Sequence, residues 1–113
     1  YLAPKYKLHI ITNGFQEVQE KKLRKGNIHH YFIEVINSET AGVKKPHPQI
    51  FEMALKKASV EPENALMVGD NLEADIQGAI SVGMKALHFN AHRESEHQVC
   101  QMINDLIEIK SIL

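Results

Sequence analysis

The stretch Ala65-Leu66-Met67-Val68-Gly69-Asp70-Asn71-Leu72-Glu73-Ala74-Asp75-Ile76 constrains this chain more than any other. Ala65 to Val68 is a short apolar run of the kind that a strand buried on both faces needs. Gly69 permits a sharp turn where that strand ends. Asp70 follows at once, and Asp75 falls in the first turn of the helix that the spacing predicts next. In open α/β sheets, ligands gather at the carboxyl ends of the strands. Two carboxylates placed there, with Asn71 beside them, offer hard oxygen donors of the kind magnesium takes. On these residues alone, the acids read equally well as caps that complement a helix N-terminus.

The rest of the chain supplies the frame for that stretch. Residues 7–12 read as a strand ending in Thr12-Asn13-Gly14, and residues 15–25 as a helix stopped at Gly26-Asn27. Residues 31–36, rich in aromatic and β-branched side chains, read as a second strand, and residues 37–47 as a loop. Pro48 opens a helix that carries Ile50, Phe51, Ala54, Leu55 and Ala58 at helical spacing. After a turn at 61–64 come the strand 65–68, a helix over 72–82 stopped by Gly83, and a strand over 84–89. A polar loop over 90–96 precedes a last helix, with Val99, Met102, Ile103, Leu106, Ile107 and Ile109 on its apolar side. Strands alternating with helices predict a parallel, doubly wound sheet.

Composition narrows the function. A 113-residue chain is one domain at most, and its formal net charge of -1 gives no general electrostatic grip on nucleic acid or an anionic membrane. Cys100 is the one cysteine, so no internal disulfide forms, and a reducing, cytoplasmic setting is expected. No apolar run reaches the length of a membrane span, and no signal peptide is visible. Trimming an initiator methionine does not expose a residue as large as Tyr1, so a segment upstream is expected.

Two further stretches complete a pattern. Thr12-Asn13-Gly14 puts a hydroxyl and backbone N–H groups in a glycine turn, which suits an anion such as phosphate. Alone it reads more simply as an ordinary strand-to-helix turn with a capping residue. In Gly42-Val43-Lys44-Lys45-Pro46-His47-Pro48, the two prolines stiffen the segment around Lys45. An ammonium fixed just before a helix can neutralise phosphate or steady a carboxylate, whereas Lys44 reads as a solvated charge.

Taken in order, Ile-Thr-Asn-Gly, Gly-Val-Lys-Lys-Pro-His-Pro-Gln-Ile-Phe and Val-Gly-Asp-Asn-Leu-Glu-Ala-Asp-Ile resemble the second, third and fourth motifs of the haloacid dehalogenase-like (HAD) hydrolase superfamily. The resemblance implies a Rossmann-like HAD core and a set of roles. Thr12 would bond the transferring phosphoryl group, helped by the backbone at Asn13 and Gly14. Lys45 would offset charge on the nucleophile and the phosphate. Asp70 would bind Mg2+ directly, and Asp75 would act behind it, through water or by orienting its neighbours. Such roles fit phosphoryl transfer, which depends on positioning and charge stabilisation. Gly69-Asp70 with Asp75 is similar to the magnesium-dependent phosphatases of the superfamily rather than to its metal-free dehalogenases. The run from Tyr6 to Phe15, with Val18-Gln19, resembles the noncanonical pyrimidine nucleotidase branch, which acts on nucleoside monophosphates.

The superfamily's first motif, an Asp-x-Asp pair whose first member is the nucleophile, is not in this sequence, whose only aspartates are Asp70, Asp75 and Asp105. Its substrate-selecting cap is absent too. By the resemblance, the missing motif lies on the central strand, between the strands 7–12 and 65–68. Residues 1–113 are therefore expected to be a partial core, the C-terminal portion of a longer phosphatase acting on small phosphorylated substrates. Alone, the two flanking strands are expected to close on each other, or a segment from another copy to fill the gap. The competing reading is a catalytically inactive module that binds phosphate or a partner chain. A phospho-acceptor receiver domain is disfavoured, because its acids precede its Thr and Lys. The seven histidines read as solvated or capping residues, with His47 set apart by its place beside Lys45.

Overall fold

The computed structural model describes residues 1–91 and 97–113. The chain runs β1 (Leu8–Thr12), α1 (Gln16–Lys25), β2 (Phe32–Asn37), α2 (Ser38–Ala41), α3 (Pro48–Ala58) and β3 (Leu66–Gly69). A single π-helical segment, Leu72–Gln77, leads directly into α4 (Gly78–Ser81), followed by β4 (Lys85–Phe89), β5 (Gln101–Ile103) and α5 (Ile109–Ile112). Every strand pairing is parallel, as the alternation of strands and helices predicts. No helix among the described residues is long and apolar enough to cross a membrane.

Local chemistry explains most boundaries. Pro48 occupies the first turn of α3, where its missing N–H is not needed, and His47 caps the helix by accepting the Gln49 N–H on its ring Nδ1. Ser59 ends α3 in the left-handed region, at φ 57°. Gly83 turns the chain at φ 90°, a conformation that glycine adopts without steric cost. Within the stretch expected to be a loop, Asn37 accepts the Thr40 N–H and so caps one short turn of helix, α2.

Two expectations fail. The apolar positions from Val99 to Ile109 do not form one helix. Residues 101–103 make the edge strand β5, pairing Leu87 with Gln101 and Phe89 with Ile103. Asp105 is the cap of a following short turn, with its own N–H bonded to Glu108, rather than a mid-helix residue. Burying Ile103 against Leu87 and Ile109 in a strand leaves Leu106 and Ile107 exposed. The same spacing of apolar residues fits either element over so short a run.

The second failure concerns the sheet. β1 pairs only with β2, and β3 pairs only with β4, so the strands 7–12 and 65–68 do not close on each other. The two sheets stand apart across a groove of about 1120 Å³, lined by Leu8 to Ile11 on one side and Ala65 to Val68 on the other. Ala54, Leu55 and Ala58 of α3 also line it. α3 packs against β1, β2 and α4 together. On β1, both ring nitrogens of His9 are buried without a hydrogen-bond partner, against the reading of that residue as solvated.

The main buried cluster joins Ile36 of β2, Ile50, Phe51 and Ala54 of α3, and Ala79 of α4. Phe51 is fully buried, and its ring fills the notch that Gly78 leaves. A Cβ on Gly78 would stand 2.6 Å from Phe51 Cε2 and 3.1 Å from Pro46 Cβ. Gly78→Ala is therefore expected to lower stability by about 1–3 kcal/mol through overpacking, despite the helix propensity that alanine gains. Urea unfolding followed by circular dichroism reads this loss.

Candidate active site

The carboxyl ends of β1 and β3 are joined by one side chain that comes from neither strand. Lys45, in the segment leading to α3, places its Nζ 2.6 Å from Asp75 Oδ1, and both side chains are nearly buried at 12% and 7% exposure. The second oxygen, Asp75 Oδ2, accepts the Asn71 N–H at 3.2 Å. The Asp75 carboxylate thus has a partner within the chain at each oxygen. Gly69 makes room for it, since any Cβ there would collide with the Asp75 carboxylate.

Asp70 follows β3 directly and is exposed at the strand's carboxyl end. The Asn71 Oδ1 accepts the Ala74 N–H at 2.8 Å and caps the π-helical segment. Among the described residues there is no group of three or more His, Cys, Asp or Glu side chains placed to hold a metal. The donor set still fits magnesium, which is bound through one or two carboxylates and otherwise keeps waters and substrate phosphate oxygens. Asp70 is an exposed carboxylate at the end of β3.

Thr12 ends β1 opposite Asn37 of β2. Its Oγ1 accepts the Gly14 N–H at 3.1 Å, so the hydroxyl is oriented and keeps its own proton to donate. The Gly14 N–H expected to face an anion is the one engaged in this turn. The Asn13 side chain bonds the backbone of Lys45 at both its N–H and its carbonyl. The structure thus links Asn13, Lys45, Asp75 and Asn71 by direct bonds, with Thr12, Gly14 and Asp70 as their immediate chain neighbours.

One pair of residues was not foreseen as part of this region. His88 of β4 is 1% exposed, and its Nε2 lies 3.2 Å from the Asp70 carbonyl oxygen. Its Nδ1 lies 2.8 Å from His97 Nε2, and the Val99 N–H donates to His97 Nδ1. These partners fix both tautomers: His97 donates to His88, and His88 donates to the Asp70 carbonyl. His88 departs from the expectation of a solvated or capping residue, whereas His97 is part-exposed and caps the Val99 N–H. The available signal was the position of His88 inside the short, otherwise apolar run of β4. His92, also expected in a solvated loop, lies outside the described residues. Cys100 precedes β5 rather than riding a helix, and desolvation pushes its thiol above the ordinary value, partly countered by a backbone bond at His88.

The structure is thus a parallel α/β core with a threonine hydroxyl, a buried lysine–aspartate pair and an exposed carboxylate gathered at or near its strand ends. Residues 2–89 match the haloacid dehalogenase-like hydrolase family, and the chain belongs to it. The chain is 37% identical over 116 residues to the glyceraldehyde 3-phosphate phosphatase of Methanothermobacter thermautotrophicus, covering 96% of this chain and 51% of that protein. It is 40% identical over 91 residues to pyrimidine 5'-nucleotidase YjjG of Escherichia coli, covering 80% and 40%. The crystal structure of the HAD-hydrolase YfnB from Bacillus subtilis bound to magnesium superposes with a TM-score of 0.89 at 28% identity, covering 98% of this chain and 49% of that one. The chain therefore spans about half the length of the first of these relatives and less of the second.

Two outcomes follow from the geometry. Lys45→Met strands a buried carboxylate and is expected to cost about 3–5 kcal/mol, with Asp75→Asn recovering much of that loss in the same background. Thermal and urea unfolding of the three variants measure it. Because the Cys100 thiol is held up, its alkylation by iodoacetamide is expected to be slower near neutral pH than that of a free cysteine. The rate should climb as pH rises through the elevated value, as mass spectrometry over a pH series would show.

Proposed function

We propose that this chain is the phosphate- and metal-binding portion of a magnesium-dependent HAD phosphatase that hydrolyses small phosphomonoesters. The observation that carries the reading is the Lys45–Asp75 pair, held between the ends of two strands that carry Thr12 and Asp70. Phosphoryl transfer leaves a protein little covalent chemistry beyond the nucleophile, so fixed charges and donors matter most.

The Thr12 hydroxyl donates to a phosphoryl oxygen. Lys45, immobilised on Asp75, sets a positive charge against the phosphate and against the nucleophilic carboxylate. Asp75 orients Lys45 and, through the Asn71 N–H, the turn that carries Asp70. Asp70 would hold Mg2+, which when bound neutralises phosphate charge. The nucleophile and its acid-base partner come from an Asp-x-Asp segment outside this chain. The open groove between β1 and β3, and the unpaired nitrogens of His9 within it, support a segment that fills this space.

The relatives carry two kinds of substrate in their names, glyceraldehyde 3-phosphate and pyrimidine nucleotides. Nucleoside 5'-monophosphates are the finer proposal, supported by the sequence around β1, and glyceraldehyde 3-phosphate is the competing substrate. The same groove also favours a second reading, a module that binds a partner chain along an exposed strand edge.

The test is a phosphatase assay of the complete translation product with uridine 5'-monophosphate and glyceraldehyde 3-phosphate, with and without Mg2+. Hydrolysis is expected to require Mg2+, and Asp70→Asn is expected to lower kcat by about 10²–10³. Activity that survives both chelation and Asp70→Asn overturns the assignment. A product that lacks an Asp-x-Asp segment and hydrolyses neither ester leaves the partner-binding reading in its place.

A further inference from the structure

The Asn13 side chain ties the turn after β1 to the backbone of Lys45 by two hydrogen bonds. Its Oδ1 accepts the Lys45 N–H at 2.8 Å, and its Nδ2 donates to the Lys45 carbonyl at 3.3 Å. The orientation of the amide is fixed by these partners, since the flipped form would set donor against donor and acceptor against acceptor. A side-chain amide that holds both groups of one residue fixes its rotation as well as its position. Asn13 is itself anchored, because Ser38 Oγ donates to its carbonyl at 3.0 Å.

The consequence lies in the topology. β1 and β3 share no ladder, so hydrogen bonds of the sheet do not set the spacing between Thr12 and Asp70. The bonded route from Asn13 through Lys45 to Asp75 and Asn71 crosses from one sheet to the other at the site. We infer that the Asn13 side chain is a positioning residue, which sets Lys45 and through it the relation between the two strand ends, and that it does not bind the phosphoryl group. Resting on the phosphatase reading, this gives the Asn13 side chain a role of its own beside the phosphate contact that the motif implies for its backbone.

Two variants separate the functions of the amide. Asn13→Asp keeps an acceptor for the Lys45 N–H but sets a carboxylate oxygen against the Lys45 carbonyl. Asn13→Ala removes both bonds. In the complete protein, hydrogen exchange at the Lys45 amide is expected to rise by about an order of magnitude in Asn13→Ala and by less in Asn13→Asp. The amides of Ile10 and Ile11 in β1 keep their protection, which separates loss of the clamp from loss of the fold. In the phosphatase assay, Asn13→Ala lowers kcat, with partial recovery in Asn13→Asp, and weakens inhibition by inorganic phosphate no more than Lys45→Met does. The same change costs nothing further when Lys45 is already methionine, because the residue acts through Lys45. Weakened inhibition by inorganic phosphate, with a loss that adds to that of Lys45→Met, would overturn the inference in favour of direct phosphate binding. Unchanged exchange at Lys45 also overturns it. Exchange reads the clamp without any turnover, so a failure of the phosphatase assignment is recognised separately, by an inactive wild-type protein whose Lys45 amide still responds to Asn13→Ala.

Discussion

The buried ion pair between Lys45 and Asp75 is the interaction on which the site's geometry depends. A carboxylate and an ammonium withdrawn from water are tolerable only when matched, and here both carboxylate oxygens have partners and the ammonium is paired with one of them. Asp75 divides its two oxygens between Lys45 and the Asn71 N–H, and Lys45 has its backbone gripped by Asn13. Several features of the fold serve this pair. Gly69 leaves the space that the Asp75 carboxylate fills, and Gly78 lets Phe51 and Pro46 approach the helix that follows. Breaking the pair would disturb both strand ends at once, which ties the chemistry of the site to the stability of the chain.

That dependence is stronger here because the sheet is not continuous. An unbroken parallel sheet fixes its strand ends by backbone hydrogen bonds. In this chain the ladder stops at β1 and resumes at β3, with α3 packed beside the groove between them. The side-chain route across the site and the apolar packing of α3 against both neighbours therefore hold what a central strand otherwise holds. A groove with two facing strand edges and an unpaired buried imidazole has the chemistry of a receptor for one more extended segment. The proposed Asp-x-Asp segment, entering there, would complete the sheet and supply the nucleophile together.

Much of this was legible in the residues. The glycine and carboxylates after β3, the prolines flanking Lys45 and the hydroxyl ending β1 are local signals, set by backbone geometry and by donor chemistry. They predict the parallel α/β class and strands that overlap β1 to β4, as the structure has them. What failed was of another kind. Residues 101–103 carry apolar spacing that suits a helix, and only the neighbouring edge of β4 makes a strand the better use of it. His88 has the composition of a surface residue, and only its partners His97 and the Asp70 carbonyl reveal a buried, neutral imidazole. The Asn13 backbone belongs to a phosphate-binding motif by resemblance, and only the tertiary structure shows the Asn13 side-chain amide bonded to a residue 32 positions away.

The sequence by itself determined the family, the parallel α/β class and the types of group gathered at the strand ends, because turn chemistry and short-range periodicity are written into adjacent residues. Tertiary structure alone decided which of those groups touch. The joining of Asn13 to Lys45, of Lys45 to Asp75 and of His88 to Asp70 depends on how separate elements pack, and so does the failure of β1 and β3 to close. Such contacts arise from the volumes of Phe51, Gly78 and the α3 face rather than from any local pattern, so no reading along the chain contains them.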